Sequence, residues 1–173
     1  RMALSIAAGS GVGYRILGNG SDILAPDAGV RPLVICTKGM AKTEKTKHYI
    51  EAEAGVMLPT LLGQCVRTGY GGAEALAGIP ATVGGAVCMN AGAFGAEIAS
   101  FVRWVRVLRA DDFTPQTLTP EELSFSYRHS VLQKRRDIVC SVAFSFAPVS
   151  PSVAGDKIKE YAYRRRASQP AMP

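Results

Sequence analysis

"GAEALAGIPATVGGAVCMNAGAFG", residues 72–95, is the stretch on which the fold turns. It is rich in Gly and Ala, carries one charge, Glu74, and has almost no side chain large enough to fill a core. Gly78, Gly84, Gly85, Gly92 and Gly95 are interleaved with Ala77, Ala81, Ala86, Ala91 and Ala93. A glycine inside a regular element costs roughly 0.5–1 kcal/mol relative to alanine, so such a cluster calls for an offsetting gain. One source is a ligand lying against bare backbone, its polar edge met by Thr82, Asn90 and exposed N–H groups and its flat faces by Ile79 and Val83. The other is close packing between two elements. Composition does not choose between them.

Around this run the chain reads as a folded domain or two small ones. It has 173 residues, 47% of them hydrophobic and 20% charged, which is enough to bury a core and too apolar for general disorder. Lys and Arg outnumber Asp and Glu by 20 to 14, with basic runs at Lys134–Arg136 and Arg164–Arg166, which points to an anionic partner. Nucleic acid is disfavoured, because the sparse aromatics are not interleaved with the basic runs. Cys36, Cys65, Cys88 and Cys140 form no CxxC pair and are joined only by His48 and His129, so no metal site is expected. Their apolar neighbours predict buried thiols in a reducing cytosol. No segment reads as a signal peptide or a membrane span. The expected location is cytoplasmic, with no membrane and no obligatory protein partner.

Upstream, "YRILGNGSDIL" begins as a strand over Tyr14–Leu17 and breaks at Gly18-Asn19-Gly20. Asn-Gly is a strong hairpin signal, so the residues alone favour an ordinary turn into a return strand. The functional reading is a nest of backbone N–H groups with the Ser21 hydroxyl, a shape that holds phosphate. Ile23 occupies the third glycine position of GxGxxG, so this is not the dinucleotide fingerprint of that form. "PLVICT", 32–37, reads as a buried strand, and 38–47 as a lysine-rich connection at a subdomain boundary. "HYIEAEAG" alternates Ile50, Ala52, Ala54 against Tyr49, Glu51, Glu53, as a half-buried strand does. A helix follows, with Pro59 in its first turn, Leu58, Leu61, Leu62 and Cys65 inward, and Gly69 at its end.

Downstream, Phe101–Arg109 reads as a strand from its β-branched and aromatic content. Thr119-Pro120-Glu121-Glu122 is a capped helix start, which accounts for its glutamates without catalysis. "DIVCSVAFSF" alternates Ile138, Cys140, Val142, Phe144, Phe146 against smaller residues, as a strand of the same sheet. A charged helix after Ser150 ends in Arg164–Arg166, where cations suit the helix dipole.

"LGNGSDIL", "ALAGIPATVGGAVCMNAGAFG", "FSYRHS", "DIVCSVAFSF" and the closing "RRRASQPAMP" occur in an order that resembles the UDP-N-acetylenolpyruvoylglucosamine reductases. The resemblance covers most of the chain. It implies an α+β, FAD-binding fold of the vanillyl-alcohol-oxidase (PCMH) type with two α/β subdomains. Residues 1–45 would be a remnant of the first, 46–148 the second, and 149–173 a helix and the start of a linker. NADPH would reduce FAD, and the reduced flavin would reduce a UDP-sugar enolpyruvyl ether to UDP-N-acetylmuramate for peptidoglycan.

Carried over residue by residue, Gly18, Asn19, Gly20, Ser21 and Asp22 would hold the diphosphate. Gly78, Ile79, Pro80, Thr82, Val83, Gly84, Gly85, Asn90, Ala91, Gly92 and Val139 would line the flavin. Arg128 matches the family's active-site arginine, which would stabilise charge on the substrate carboxylate. Tyr127, Arg165 and Gln169 would meet substrate. The family usually has Asn where Asp22 stands. Its proton-donating serine and its catalytic glutamate fall in motifs after this stretch, so the resemblance implies the flavin-binding part of the enzyme. A non-catalytic FAD-binding module is the alternative.

Overall fold

The structure, a computed structural model, describes residues 2–169. Pro170–Pro173, which close the last family-like motif, lie outside the described residues. The chain opens with helix α1 (Met2–Gly9), then strands β1 (Tyr14–Leu17), β2 (Leu33–Cys36), β3 (Thr43–Lys45) and β4 (Ile50–Glu53), helix α2 (Leu58–Arg67) and strand β5 (Tyr70–Gly71). Helix α3 (Val83–Cys88) and strand β6 (Gly92–Ala93) lie within the glycine run, and β7 (Ala96–Glu97) follows directly after it to close a hairpin with β6. Strands β8 (Val102–Leu108) and β9 (Pro115–Leu118), helices α4 (Pro120–Leu123) and α5 (Val131–Arg135), strands β10 (Ile138–Phe144) and β11 (Ala147–Pro148) and helix α6 (Pro151–Ser168) complete it.

An antiparallel sheet in the order β3-β4-β10-β8-β9 organises the larger part. Its central strand β10 sets Val142 opposite Ala52 of β4 and Val105 of β8. On the face shared by Ile50, Ala52 and Val142 the apolar side chains meet α2 and α3. Cross-strand neighbours share a face, so on the opposite face Ser141 and Ala143 lie beneath Glu51, Glu53, Trp104 and Arg106. This explains why β10 is buried along nearly its whole length although its sequence alternates.

Helix α2 buries Leu58, Leu61, Leu62 and Cys65 as the periodicity predicts, and Gly69 follows it in the left-handed region at φ 75°. The Thr119 cap is a full capping box with Glu122. The lysine-rich connection contains β3, paired with β4, because Thr43 and Lys45 find an unpaired sheet edge there.

Four expectations are corrected. The glycine run does supply core: Leu76, Ile79, Val83, Ala86 and Val87 are all buried. Its small residues allow its few aliphatic ones to reach the sheet. Secondly, Gly18-Asn19-Gly20 is no hairpin turn, because β1 and β2 run parallel, Tyr14 opposite Leu33 through Leu17 opposite Cys36. Thirdly, β2 is not buried. Leu33 and Val34 are 41% and 42% exposed, because this two-stranded layer is covered only in part, by a small cluster of Leu4, Leu108 and Ile138. Cys36 on the same strand is an exposed thiol, against the expectation of burial, while Cys65 is buried. Among the described residues no helix is long and apolar enough to cross a membrane.

Candidate functional site

The loop after β1 meets the glycine run directly. Asn19 Nδ2 donates to the Pro80 carbonyl at 2.9 Å, and a Cβ at Gly18 would strike Thr82 Oγ1. Gly20 sits at φ 74°, a conformation that favours glycine. Among the described residues, the N–H groups of Asn19, Gly20, Ser21 and Asp22 donate to no protein acceptor. They remain available as a short row of donors. Ser21 and Asp22 are exposed. Asp22 caps no helix, since the chain stays irregular from there to β2.

The other wall is α3. Its first N–H groups are already used: Val83 N donates to Val56 O at 2.7 Å, Gly84 N to Ala54 O at 2.8 Å, and Gly85 N to Thr82 Oγ1 at 3.4 Å. They are not left exposed for a ligand's polar edge, contrary to the sequence reading. Val83 and Thr82 are also turned inward, at 0% and 1% exposure, so they back the wall and do not face out from it. Val139 is likewise buried, opposite Val107.

The glycines separate by cause. At Gly84 a Cβ would lie 3.0 Å from the Ala54 Cβ, so close packing with β4 demands the glycine. Gly92 would collide with the Ala96 carbonyl across its hairpin. Gly78 has φ 79°, and its open face is crossed by the Arg165 side chain, whose Cδ would be 2.9 Å from a Cβ. Gly85 differs from all of these. It is exposed, its φ is ordinary, and a Cβ would meet only Thr82 Oγ1 at 3.5 Å, a normal contact. Among the described residues nothing requires glycine at Gly85.

A cleft of about 360 Å³ opens at the end of the run, lined by Gly92–Glu97, Ser100, Tyr127 and Arg128. Arg128 enters it from a tight turn closed by mutual hydrogen bonds between Ser126 and His129, 3.1 and 3.0 Å. Its guanidinium donates to the Gly92 carbonyl at 2.7 Å and to the Asn90 carbonyl at 3.4 Å, and lies 5.2 Å from the Tyr127 ring. Arg128, Phe94 and Asn90 all have positive φ, 54°, 51° and 43°, a concentration of unusual backbone around one cleft. Phe94 at the hairpin tip packs on Tyr161 of α6, rings 5.1 Å apart. Arg165, one helical turn beyond Tyr161, reaches Gly78. Helix α6 therefore ties the hairpin to the run.

The structure thus joins Gly18 and Asn19 to Pro80 and Thr82, Arg165 to Gly78, and Arg128 to Asn90, Gly92 and Tyr127. Among the described residues it gives Gln169 no link to the cleft beyond its own bond to the Arg165 carbonyl. The Asn90 side chain, expected against a flavin, is instead fully buried and engaged with protein. Glu97, Ser100 and Phe94 line the cleft without having been singled out as site residues. The signal available for them was adjacency to the glycine run, but an acid beside Gly and Ala has no spacing that marks it. Burial pushes the pKa of the Cys88 thiol upward, so it stays protonated.

Residues 1–112 match the family described as FAD binding domain. A UDP-N-acetylenolpyruvoylglucosamine reductase of Rubrobacter xylanophilus is 36% identical over 173 residues, 99% of this chain and 58% of its own length. One of Streptococcus pneumoniae is 38% identical over 157 residues, 91% of this chain and 52% of its own. The chain thus spans little more than half of these relatives. The crystal structure of the reductase from Thermus caldophilus superposes with a TM-score of 0.81 at 34% identity, over 96% of this chain and 60% of that one. Cholesterol oxidase from Brevibacterium sterolicum, at TM-score 0.64 and 12% identity over 85% of this chain and 32% of its own, shares the fold alone. The fold is the α+β FAD-binding fold of the vanillyl-alcohol-oxidase type.

Proposed function

The chain belongs to the FAD binding domain family, and from that premise we propose that it is the flavin-holding part of a reductase acting on a UDP-sugar enolpyruvyl ether. The observation that carries the proposal is Gly85. A helix-interior glycine that no internal contact demands, on an exposed wall facing the Asn19 loop, is accounted for by a flat ligand pressed against it. The residues fit FAD. The donor row of Asn19, Gly20, Ser21 and Asp22 would hold the diphosphate, and the Gly78–Gly85 backbone would take the ring system, with Ile79 and Val83 stiffening the wall from behind.

FAD, when bound, would supply a hydride taken from NADPH to the substrate's double bond. The chain's own contribution at the cleft is electrostatic. Arg128 is held by two backbone carbonyls with one edge of its guanidinium, which leaves the cation fixed at the cleft wall. A carboxylate placed there would be neutralised as charge gathers on it, with no reorganisation of the side chain. Tyr127, at 80% exposure, would cover one side of the substrate. Arg165 would meet the anionic part, and Gln169 is proposed beside it on the resemblance alone. Synthesis of UDP-N-acetylmuramate for the cell wall, in the cytoplasm, completes the reading.

Purified protein tests it. A bound chromophore with flavin absorbance, and oxidation of NADPH that depends on the enolpyruvyl ether in the protein carrying all the family's segments, are the expected results. Flavin without such turnover would leave a non-catalytic flavin-binding module. A colourless protein with no affinity for FAD would end the proposal.

A further inference from the structure

The Asn90 amide is spent entirely on protein. Nδ2 donates to Glu97 Oε2 and to the Ser126 carbonyl, both at 2.9 Å, and Oδ1 accepts the Ala99 N–H at 3.2 Å. The residue is 0% exposed. Its backbone has an ordinary explanation. Asn90 ends α3 in the left-handed region, with Asn90 N bonded to Val87 O and Ala91 N to Ala86 O, the double closure of a helix C-terminus. Glycine would serve that purpose better than asparagine. Helix termination therefore leaves the three side-chain bonds unexplained.

What those bonds connect is specific. Ser126 closes the turn that displays Arg128, Glu97 ends the hairpin on the other side of the cleft, and Ala99 starts the segment leading to Ser100. The Asn90 carbonyl itself receives Arg128 Nη1. We propose that Asn90 is the positioning residue of the cleft, its amide clamping the Ser126–His129 turn to the Gly92–Glu97 hairpin so that the Arg128 guanidinium keeps one orientation. The proposal rests on the reading that Arg128 meets the substrate carboxylate. It also gives Glu97 a role: its carboxylate accepts from Asn90 and anchors the clamp at the cleft wall.

Asn90→Asp keeps the shape and the acceptor but replaces the donor with an oxygen facing Glu97 and the Ser126 carbonyl. The ionisable groups around it are Glu97, Arg128 and, across the turn, His129, whose ring nitrogen pairs with Gln133. Two carboxylates sharing one site titrate together, with one proton held above the ordinary carboxylate range. Protonation restores a donor between them. In the flavin-loaded protein, Asn90→Asp is expected to weaken binding of the enolpyruvyl substrate about tenfold near pH 8, the loss of a buried hydrogen bond. The loss should fade as pH falls toward about 5, where wild type shows no matching gain. Asn90→Gly, which keeps the helix end, is expected to weaken binding at every pH, and both variants should keep wild-type flavin content.

Wild-type substrate affinity in both variants would overturn the proposal, as would loss in Asn90→Asp that ignores pH or that follows flavin loss. If Arg128→Gln leaves substrate affinity unchanged, the reading of Arg128 has failed by itself. The clamp is then judged without substrate, on the Arg128 Nη–H resonances, the groups bonded to the Asn90 and Gly92 carbonyls. A dispersed, slowly exchanging signal in wild type that collapses in both variants supports it, and a signal that survives overturns it.

Discussion

Strands β2 and β10 begin with almost the same letters, Leu-Val-Ile-Cys and Ile-Val-Cys, and meet opposite fates. β10 lies at the centre of the five-stranded sheet, under α2 and α3 on one face and long polar side chains on the other. Among the described residues β2 pairs only with β1, and Leu33 and Val34 stay well exposed. A hydrophobic strand announces itself, but the layer that covers it comes from elsewhere in the chain. The difference matters for the site, because the glycine run is built onto the thick part while the Asn19 loop hangs from the thin one. The wall proposed for the ring system is therefore backed by the main core, and the wall proposed for the diphosphate by a layer covered only in part.

Core truncation gives this contrast its harshest trial. Phe144→Ala, at a fully buried position between β4 and β8, is expected to cost about 3–5 kcal/mol. Leu4→Ala, in the small cluster with Leu108 and Ile138, should cost about 2 kcal/mol, at the low end of such losses, because that site can collapse. Denaturant unfolding of the two variants decides it. Equal losses would mean the thin layer is as tightly packed as the sheet.

Neighbouring glycines sharpen the point within one turn of α3. Gly84→Val drives methyl groups into Ala54 and should destabilise by about 1–3 kcal/mol. Gly85→Ala makes only an ordinary contact with Thr82 Oγ1 and, by helix propensity, should leave stability unchanged or raise it by up to about 1 kcal/mol, while weakening flavin affinity. Thermal melts and flavin titration on both variants separate packing from ligand. If Gly85→Ala binds flavin like wild type, the wall does not carry the ring.

These two glycines also show how far the sequence could be read. The run's composition marked a place where side chains are kept small, yet it could not say which glycine answers to Ala54 and which has no close neighbour. That depends on β4, some thirty residues earlier in the chain. Elements with a clear period, α2, β4 and the Thr119 cap, were legible because their patterns are local. Helix α1, "MALSIAAG", was not, since apolar residues all round it give no amphipathic stripe. The parallel pairing of β1 and β2 was hidden by an Asn-Gly that imitates a hairpin. At the cleft, Arg128 stood out as a candidate through its motif, and the structure places it in the lining. The role of Asn90 was not legible, because its partners Ser126 and Glu97 are remote in sequence or without a pattern.

The two thiols compare the same two regions chemically. Burial pushes the Cys65 thiol up from 9.0 to about 12. The sign follows: the folded state keeps its proton where the unfolded chain releases it, so stability present below about pH 9 falls as pH rises toward 12. Near pH 10 the loss from this group is about 1 kcal/mol, and Cys65→Ala should flatten that part of the stability profile. Alkylation of the folded protein near pH 8 should reach the exposed Cys36 and spare Cys65. Equal labelling would show that the sheet opens as readily as the β2 layer.

The smallest expected effect falls on the thin wall itself. Asp22 puts a carboxylate at the end of the donor row formed by Asn19, Gly20 and Ser21, in an exposed turn with no helix after it to cap. Two unit charges about 4 Å apart repel by about 1 kcal/mol in water, and salt screens that further. Asp22→Asn removes the repulsion and keeps the size, so it should tighten FAD binding by about threefold, equivalent to about 0.7 kcal/mol. Because the cause is a screened charge, the gain should shrink as ionic strength rises, and the melting temperature of the flavin-free protein should not move. A gain independent of salt would point to a new hydrogen bond from the amide. No gain at any salt would mean that the diphosphate lies away from this turn, and the glycine wall would then hold the flavin without help from the β1 loop.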